Sequence, residues 1–180
     1  MKKHRSFFVG IIIMIAACTL SAQNNNEALK TLAKSAKSHK NLEVSFTYQV
    51  VGDPEQAEEA KEGKAYFMDG AYKIIMDEQQ AISDGTTTWH YIVDEEEVMV
   101  GNATEGDNPY SILDDLEKDD SGATPIFGKN GNLKGIELEI DEGIKMVLNI
   151  IEMKFDQKFG KEIFTFDEKA YPDVEIIDMR

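Results

Sequence analysis

Residues 61–100 read KEGKAYFMDGAYKIIMDEQQAISDGTTTWHYIVDEEEVMV. Turn-forming residues divide this stretch into short segments at Asp69-Gly70, at Asp84-Gly85 and at the acidic triplet of residues 94–96. Strands that are joined by such tight turns pair with one another in antiparallel order. The stretch therefore predicts an antiparallel meander of short strands.

A helix and a long strand are predicted before the meander. Between Glu27 and Lys40 the apolar residues recur at the spacing of one helical face. From Leu42 to Val50 the pattern changes to an alternation of apolar and polar residues, which is typical of a half-buried strand. We therefore expect one amphipathic helix followed directly by a strand.

A second helix and further strands are predicted after the meander. Asn108 and Pro109 favour the start of a short helix through Glu117, because asparagine caps helices and proline fits their first position. Four strands then follow, at residues 133–140, 144–155, 161–166 and 174–177. The pattern predicts one α+β domain over residues 23–180, with a large antiparallel sheet that curls towards a partly closed barrel.

The first 22 residues have the pattern of a secretion signal. Basic residues at positions 2, 3 and 5 precede an apolar run of 11 residues from Phe7 to Ala17, and small residues follow at Ser21 and Ala22. A transmembrane helix needs about 20 apolar residues, so this run is too short to be one. We expect export to the periplasm, with cleavage near Ala22.

The same segment contains a second signal. The string Ile15-Ala16-Ala17-Cys18 fits the pattern after which a bacterial lipoprotein is cut and acylated on its cysteine. Lipidation of Cys18 would anchor the protein to the inner or outer membrane instead of releasing it. The sequence leaves both forms open, and neither permits a disulfide within one chain.

The chain is strongly acidic, with 34 acidic and 19 basic residues. Three of the basic residues belong to the predicted signal, which leaves 16 basic against 34 acidic residues and a formal net charge of −18. This charge disfavours nucleic acid and anionic membrane surfaces as partners. We expect a monomer in solution, with no nucleic-acid partner.

No residue pattern indicates catalysis or a cofactor. Outside the predicted signal the only histidines are His39, at a helix end, and His90, in mid-strand, and no cysteine lies near them. A Gly-x-Ser-x-Gly elbow is absent, and scattered carboxylates alone do not indicate a glycosidase. We expect neither an enzyme nor a bound cofactor or metal. A calcium site remains an alternative, without EF-hand spacing, at Asp114, Asp115, Asp119 and Asp120.

Four strings occur in order along the chain: KEGKAYF at 61–67, SDGTTTWHYIVDEEEVMV at 83–100, DNPYSIL at 107–113 and FTFDEKAYPDVEIIDMR at 164–180. In this order they resemble the outer-membrane lipoprotein carrier protein (LolA) family. The turn Ser83-Asp84-Gly85, followed by Trp89 and Tyr91, is the most specific element of the resemblance, which extends from the first helix to the C-terminus. Trp89 and Tyr91 are expected on one face of their strand.

This resemblance implies an open, strongly curved antiparallel half-barrel whose concave apolar face is lidded by helices. Lipoprotein acyl chains would sit in that cavity. An inner-membrane ABC transporter would supply them and an outer-membrane receptor would take them up, with no covalent chemistry. We expect ten large apolar side chains to line the cavity: Phe46, Tyr66, Met68, Tyr72, Ile74, Trp89, Tyr91, Tyr110, Ile112 and Leu113.

One turn departs from the family pattern. Proteobacterial-type members carry a Lys-Arg-Pro-like step between the second and third strands, and its arginine helps to hold the lid. Here residues 67–72 read FMDGAY, so this arginine has no counterpart. The expected fold and cavity do not depend on it, whereas the latching of the lid does.

The two predicted forms of the N-terminus imply two functions. A released chain would be a carrier that moves between membranes. A chain that is lipidated at Cys18 would be a membrane-tethered module that binds or senses lipoproteins or another hydrophobic ligand.

Overall fold

A computed structural model describes residues 25–52, 59–104, 116, 118 and 122–180. The predicted signal peptide and all of the second predicted helix except Leu116, which is helical, lie outside the described residues. The elements of the described part are α1 (Asn25–Ser38), β1 (Asn41–Val51), β2 (Lys61–Met68), β3 (Ala71–Ile75), β4 (Gln79–Ser83), β5 (Thr87–Ile92), β6 (Glu97–Asn102), β7 (Ala123–Phe127), β8 (Leu133–Asp141), β9 (Ile144–Phe155), a 3-10 helix (Lys161–Phe164) and β10 (Glu175–Asp178).

All ten strands form one sheet, in the order β10-β6-β5-β4-β3-β2-β1-β9-β8-β7. Strands β2 to β6 pair in succession as the predicted antiparallel meander. The first strand, β1, lies between β2 and β9. The sheet is open, because β10 and β7 lie at its two ends, and this agrees with an open half-barrel.

The prediction that the sheet is wholly antiparallel is wrong at its last strand. β10 pairs with β6 in parallel. The amide of Glu175 donates to the carbonyl of Glu96, just before β6, and the amide of Met179 donates to the carbonyl of Val100, each at 2.8 Å. Residues 156–174, which we call the crossover, carry the chain from β9 across the sheet to β6. A parallel pair needs a connection of about a dozen residues or more, and the crossover supplies it.

The prediction of a strand at residues 161–166 is also wrong. Residues Lys161–Phe164 form a 3-10 helix, and Phe164 and Phe166 are both buried. The backbone of Thr165 between them is extended, with φ −125° and ψ 143°. Two side chains that flank an extended residue point to the same side, so this short segment has the alternation of a strand without pairing in the sheet.

Strand β7 is present in the structure but is not predicted from the sequence. It contains Pro125, which has no amide hydrogen for a sheet ladder. The strand lies at the end of the sheet and pairs on one side only, with β8. Proline is tolerated at this position because an edge strand leaves one side unpaired.

Helix α1 packs on one face of the sheet, which we call the α1 face. Its Leu29 and Ala33 are fully buried together with Leu116, against Ala123 of β7 and Ile136 of β8. The helix therefore covers the β7 end of this face. A lid of several helices is not confirmed, since α1 is the one α-helix whose full length is described. No helix in the described part of the chain has the length and apolar character needed to cross a membrane.

The opposite face, which we call the crossover face, is covered by residues 156–174. Ile82, Tyr91 and Val98 form a buried cluster there with Phe166 of the crossover. The ring of Phe166 stacks on Tyr171 at a centroid distance of 5.2 Å and contacts Tyr91 at 5.5 Å. The two faces of the sheet are thus packed by segments from opposite ends of the described chain.

Candidate functional site

A cluster of apolar side chains lies in the middle of the α1 face. Phe46 and Tyr48 of β1 are buried there with Ala65 of β2. The hydroxyl of Tyr48 accepts a hydrogen bond from the amide of Asp77 at 3.1 Å, so its polar end is satisfied. Half-buried apolar side chains surround the buried ones and form, with them, what we call the central cluster. These surrounding residues are Val44, Phe67, Ile74, Met76 and Leu148.

Three of the ten predicted ligand-binding residues lie on the α1 face. Phe46 belongs to the central cluster, and so does Ile74, whose register partner Ala65 is buried beside it. Tyr72 is half-buried and pairs with Phe67 of the same cluster. The fold therefore brings these three side chains to one apolar surface.

Four other predicted residues, Tyr66, Met68, Trp89 and Tyr91, lie on the crossover face. Trp89 and Tyr91 share one face of β5, as the sequence predicts, but they pack with Ile82 beneath the crossover. The three predicted residues on the α1 face and the four on the crossover face therefore do not line one common cavity. The alternation of a strand shows which residues share a face, but it does not show which face a distant helix will cover.

The remaining predicted sites lie outside the described residues. They are Tyr110, Ile112 and Leu113 of the second predicted helix, the alternative lipidation site Cys18, and the acidic residues of the alternative calcium site at positions 114, 115, 119 and 120. Within the described ranges, no group of three or more histidine, cysteine or acidic side chains converges as a metal site would.

A second surface feature, a cleft of about 650 Å³, opens on the crossover face. Three cross-strand neighbours, Glu43, Tyr66 and Lys73, form a row along its floor. Of its lining, the sequence analysis singled out Tyr66 alone. The other side of the cleft is contributed by residues far along the chain, and no local pattern brings these to the sheet. The lining residues are Glu43, Tyr66, Lys73, Ile75, Asp156, Gln157, Lys158, Phe159 and Ile163.

The start of the crossover is tied to the junction of α1 and β1. His39 Nδ1 lies 2.8 Å from Oδ2 of Asp156, and its ring stacks on Phe155 at 4.2 Å. The hydrogen bond with His39, and next the amide of Lys40 at 3.0 Å, hold the pKa of Asp156 below its ordinary value. Asn41 forms two further hydrogen bonds with the backbone of Gln157. The side-chain amide of Asn41 donates to the carbonyl of Gln157 at 2.8 Å, and its side-chain oxygen accepts from the backbone amide of Gln157 at 2.7 Å.

The carboxylates of the cleft have cationic or hydrogen-bonding partners, whereas two of its lysines form no ion pair with any described residue. Glu43 faces Lys154 at 3.9 Å, and the pKa of Lys154 is raised chiefly by its hydrogen bond to Glu152 and also by Glu43. Within the described part of the chain, neither Lys73 nor Lys158 takes part in an ion pair. The cleft therefore presents two cationic groups beside apolar and aromatic side chains.

Comparison with known proteins gives matches of structure only. No protein-family model matches this sequence. No curated protein matches it either. A crystal structure of an uncharacterised conserved protein from Thermus thermophilus matches with a TM-score of 0.52 at 7% identity, over 84% of this chain and 99% of that one.

Two further solved structures have lower TM-scores. A LolA superfamily protein from Nitrosomonas europaea matches at 0.47 with 12% identity, over 79% of this chain and 98% of its own. A DUF1329 family protein from Desulfovibrio piger matches at 0.44 with 10% identity, over 81% of this chain and 97% of its own. At 7% identity, the likeness to the Thermus thermophilus structure concerns the fold alone.

Proposed function

We propose that this protein binds the acyl chains of lipoproteins on its α1 face and carries them between the inner and outer membranes. The central cluster is the observation that carries the proposal, because it offers five half-buried apolar side chains around Phe46 and Tyr48. An acyl chain laid against them would remove apolar surface from water on both partners, at about 25 cal/mol per Å². The resemblance of the four strings to the LolA family supports lipoproteins as the cargo.

The proposed activity is transfer without covalent chemistry. An inner-membrane ABC transporter would deliver the lipoprotein and an outer-membrane receptor would accept it, so this protein is no enzyme in this proposal. A carrier must also release its cargo, which requires a conformation that binds acyl chains less well. The turn at Asp69-Gly70 has positive φ at both residues, as in a tight hairpin, and it has no arginine to hold a lid. Release is therefore expected to be controlled elsewhere in the chain.

Native mass spectrometry of the protein from an envelope extract tests this function. We expect a fraction of the molecules to carry an acylated lipoprotein that dissociates when detergent is added. The control is a cytoplasmic preparation of the same chain without residues 1–22, mixed with non-acylated cargo, which should stay unbound. Protein from the envelope that never carries acylated cargo would contradict the proposal.

A second function, a tethered module, is favoured by the string that ends at Cys18. In this form the lipidated chain would stay on one membrane and receive or sense a hydrophobic ligand there. Metabolic labelling with an alkyne fatty acid distinguishes the two forms, with Cys18→Ser as the matched control. Label that is present in the natural chain and lost in the variant favours the tethered module, and an unlabelled chain excludes it.

A further inference from the structure

The cleft on the crossover face is built as an amphipathic site. Tyr66 and Phe159 meet edge to face at a centroid distance of 5.8 Å, and they join strand β2 to the crossover. Ile75 of β3 and Ile163 of the 3-10 helix add aliphatic surface on the two sides. A volume of about 650 Å³ lies within the range of small-molecule sites.

The charged groups of this cleft are two carboxylates and two lysines. Asp156 is engaged by His39 and the Lys40 amide, and Glu43 faces Lys154. Lys73 and Lys158 line the same cleft and have no ion-pair partner among the described residues. A carboxylate ligand would supply the counter-charge that these two lysines lack.

We propose that this cleft binds a single-chain amphiphile with a carboxylate head, of the fatty-acid class. Lys73 and Lys158 hold the carboxylate, and Tyr66, Ile75, Phe159 and Ile163 contact the chain. The site lies on the face opposite the proposed acyl-binding surface. It does not depend on the proposed carrier function, and it gives the protein a second ligand.

Two neighbouring isoleucines report on the two faces separately. Ile74 belongs to the central cluster on the α1 face, whereas Ile75 lines the cleft. Methyl-labelled isoleucine in the exported protein allows NMR titration with decanoate below its micelle concentration. We expect saturable shifts of the Ile75 and Ile163 methyl signals and none at Ile74. Shifts confined to Ile74, or no saturable shift at all, would overturn the proposal.

Two comparison ligands test the head group. Decyltrimethylammonium has the same chain with a cationic head, and acetate has the carboxylate without the chain. We expect each to bind at least about tenfold more weakly than decanoate, because each lacks one half of the recognition. Equal affinity for decanoate and decyltrimethylammonium would show that the lysines do not select the ligand, and the proposal would fail.

Variants of the two lysines complete the test. Lys73→Gln and Lys158→Gln are each expected to weaken decanoate binding about threefold, and the double variant about tenfold, in line with partly exposed charge pairs. Lys129→Gln removes the same charge from the exposed turn between β7 and β8 and should leave the affinity unchanged. Since Lys158 is exposed in the crossover, its variant should fold normally. Unchanged affinity in folded Lys158→Gln and in the double variant would contradict the assignment.

Discussion

The aromatic ring of Phe46 lies over Gly63, its partner in the register of β1 and β2. A Cβ atom on Gly63 would stand 2.5 Å from both Cε2 and Cζ of that ring. Glycine in a strand often marks such a close approach. The central cluster of the α1 face therefore depends on the absence of a side chain at position 63.

Replacing this glycine is expected to destabilise the protein. In Gly63→Ala the new methyl group forces the Phe46 ring out of its position, and overpacking of this kind costs about 1–3 kcal/mol. Urea denaturation measures the loss. The double variant with Phe46→Leu is the control, because a shorter side chain relieves the contact. The double variant should therefore lose less unfolding free energy than the sum of the two single variants. If the two losses simply added, Phe46 would not be the source of the strain.

The stacked ring of Phe166 is expected to hold the crossover on the sheet. Its side chain is 5% exposed and packs between Tyr91 and Tyr171. Phe166→Ala should lower the free energy of unfolding by about 3–5 kcal/mol, as for other buried aromatic residues. Trp89 is the only tryptophan and packs against the same cluster, so its fluorescence reports the change. The exposed Lys169→Ala, in the same crossover, should have little effect. If the two variants had equal stability, docking of the crossover would not depend on Phe166.

The two faces of the sheet are expected to differ in acyl binding. Ile74→Ala removes apolar surface from the central cluster and should weaken binding of a fluorescent diacylated lipopeptide about tenfold, which corresponds to about 1.4 kcal/mol. Trp89→Phe alters a side chain that packs beneath the crossover and should leave this affinity unchanged. Thermal unfolding of both variants identifies any that fail to fold. The opposite order of effects would move the acyl site to the crossover face.

The contact of His39 with Asp156 is expected to make stability depend on pH in the acid range. The pKa of Asp156 is lower in the folded than in the unfolded chain. Its contribution to stability is therefore fully present above the pKa that this carboxyl has in the unfolded chain, and it is lost as the pH falls through the folded-state pKa. Asp156→Asn should therefore reduce the melting temperature at pH ~7, and the two proteins should converge towards pH ~2. Asp141→Asn is the control, since this exposed carboxyl lies in the β8–β9 hairpin. A constant difference at all pH values would mean that the ionised form of Asp156 contributes nothing.

A second carboxyl with a lowered pKa lies near the C-terminus. Two nitrogens of the Arg180 side chain donate to Asp178, at 2.9 and 2.6 Å, and the pKa of Asp178 falls to about 2. This carboxylate is exposed to solvent, so its pairing with Arg180 is sensitive to salt. The pH titrations of Asp156→Asn are therefore best run with Arg180→Gln as a background, which removes this second contribution.

Much of the fold follows from local patterns. The alternation from Leu42 to Val50 predicts β1 to within one residue at each end, and β8 and β9 are predicted equally closely. The turns at Asp69-Gly70 and Asp84-Gly85 fix the antiparallel meander, because a tight turn leaves the chain no other way to return. Each of these signals acts over a few residues, so it can be detected without knowledge of the rest of the molecule.

The sequence by itself thus determined most of the strands, the antiparallel course of the meander, the amphipathic helix and the resemblance to a carrier family. It missed β7 and predicted a strand at residues 161–166 that does not form. Tertiary structure alone decided that Trp89 and Tyr91 lie beneath the crossover, that β10 runs parallel to β6, and that Lys73 and Lys158 line one cleft. The reason is that a strand pattern has a period of two and shows which side chains share a face. The face that receives a helix or a crossover depends on contacts between segments more than a hundred residues apart, such as His39 with Asp156.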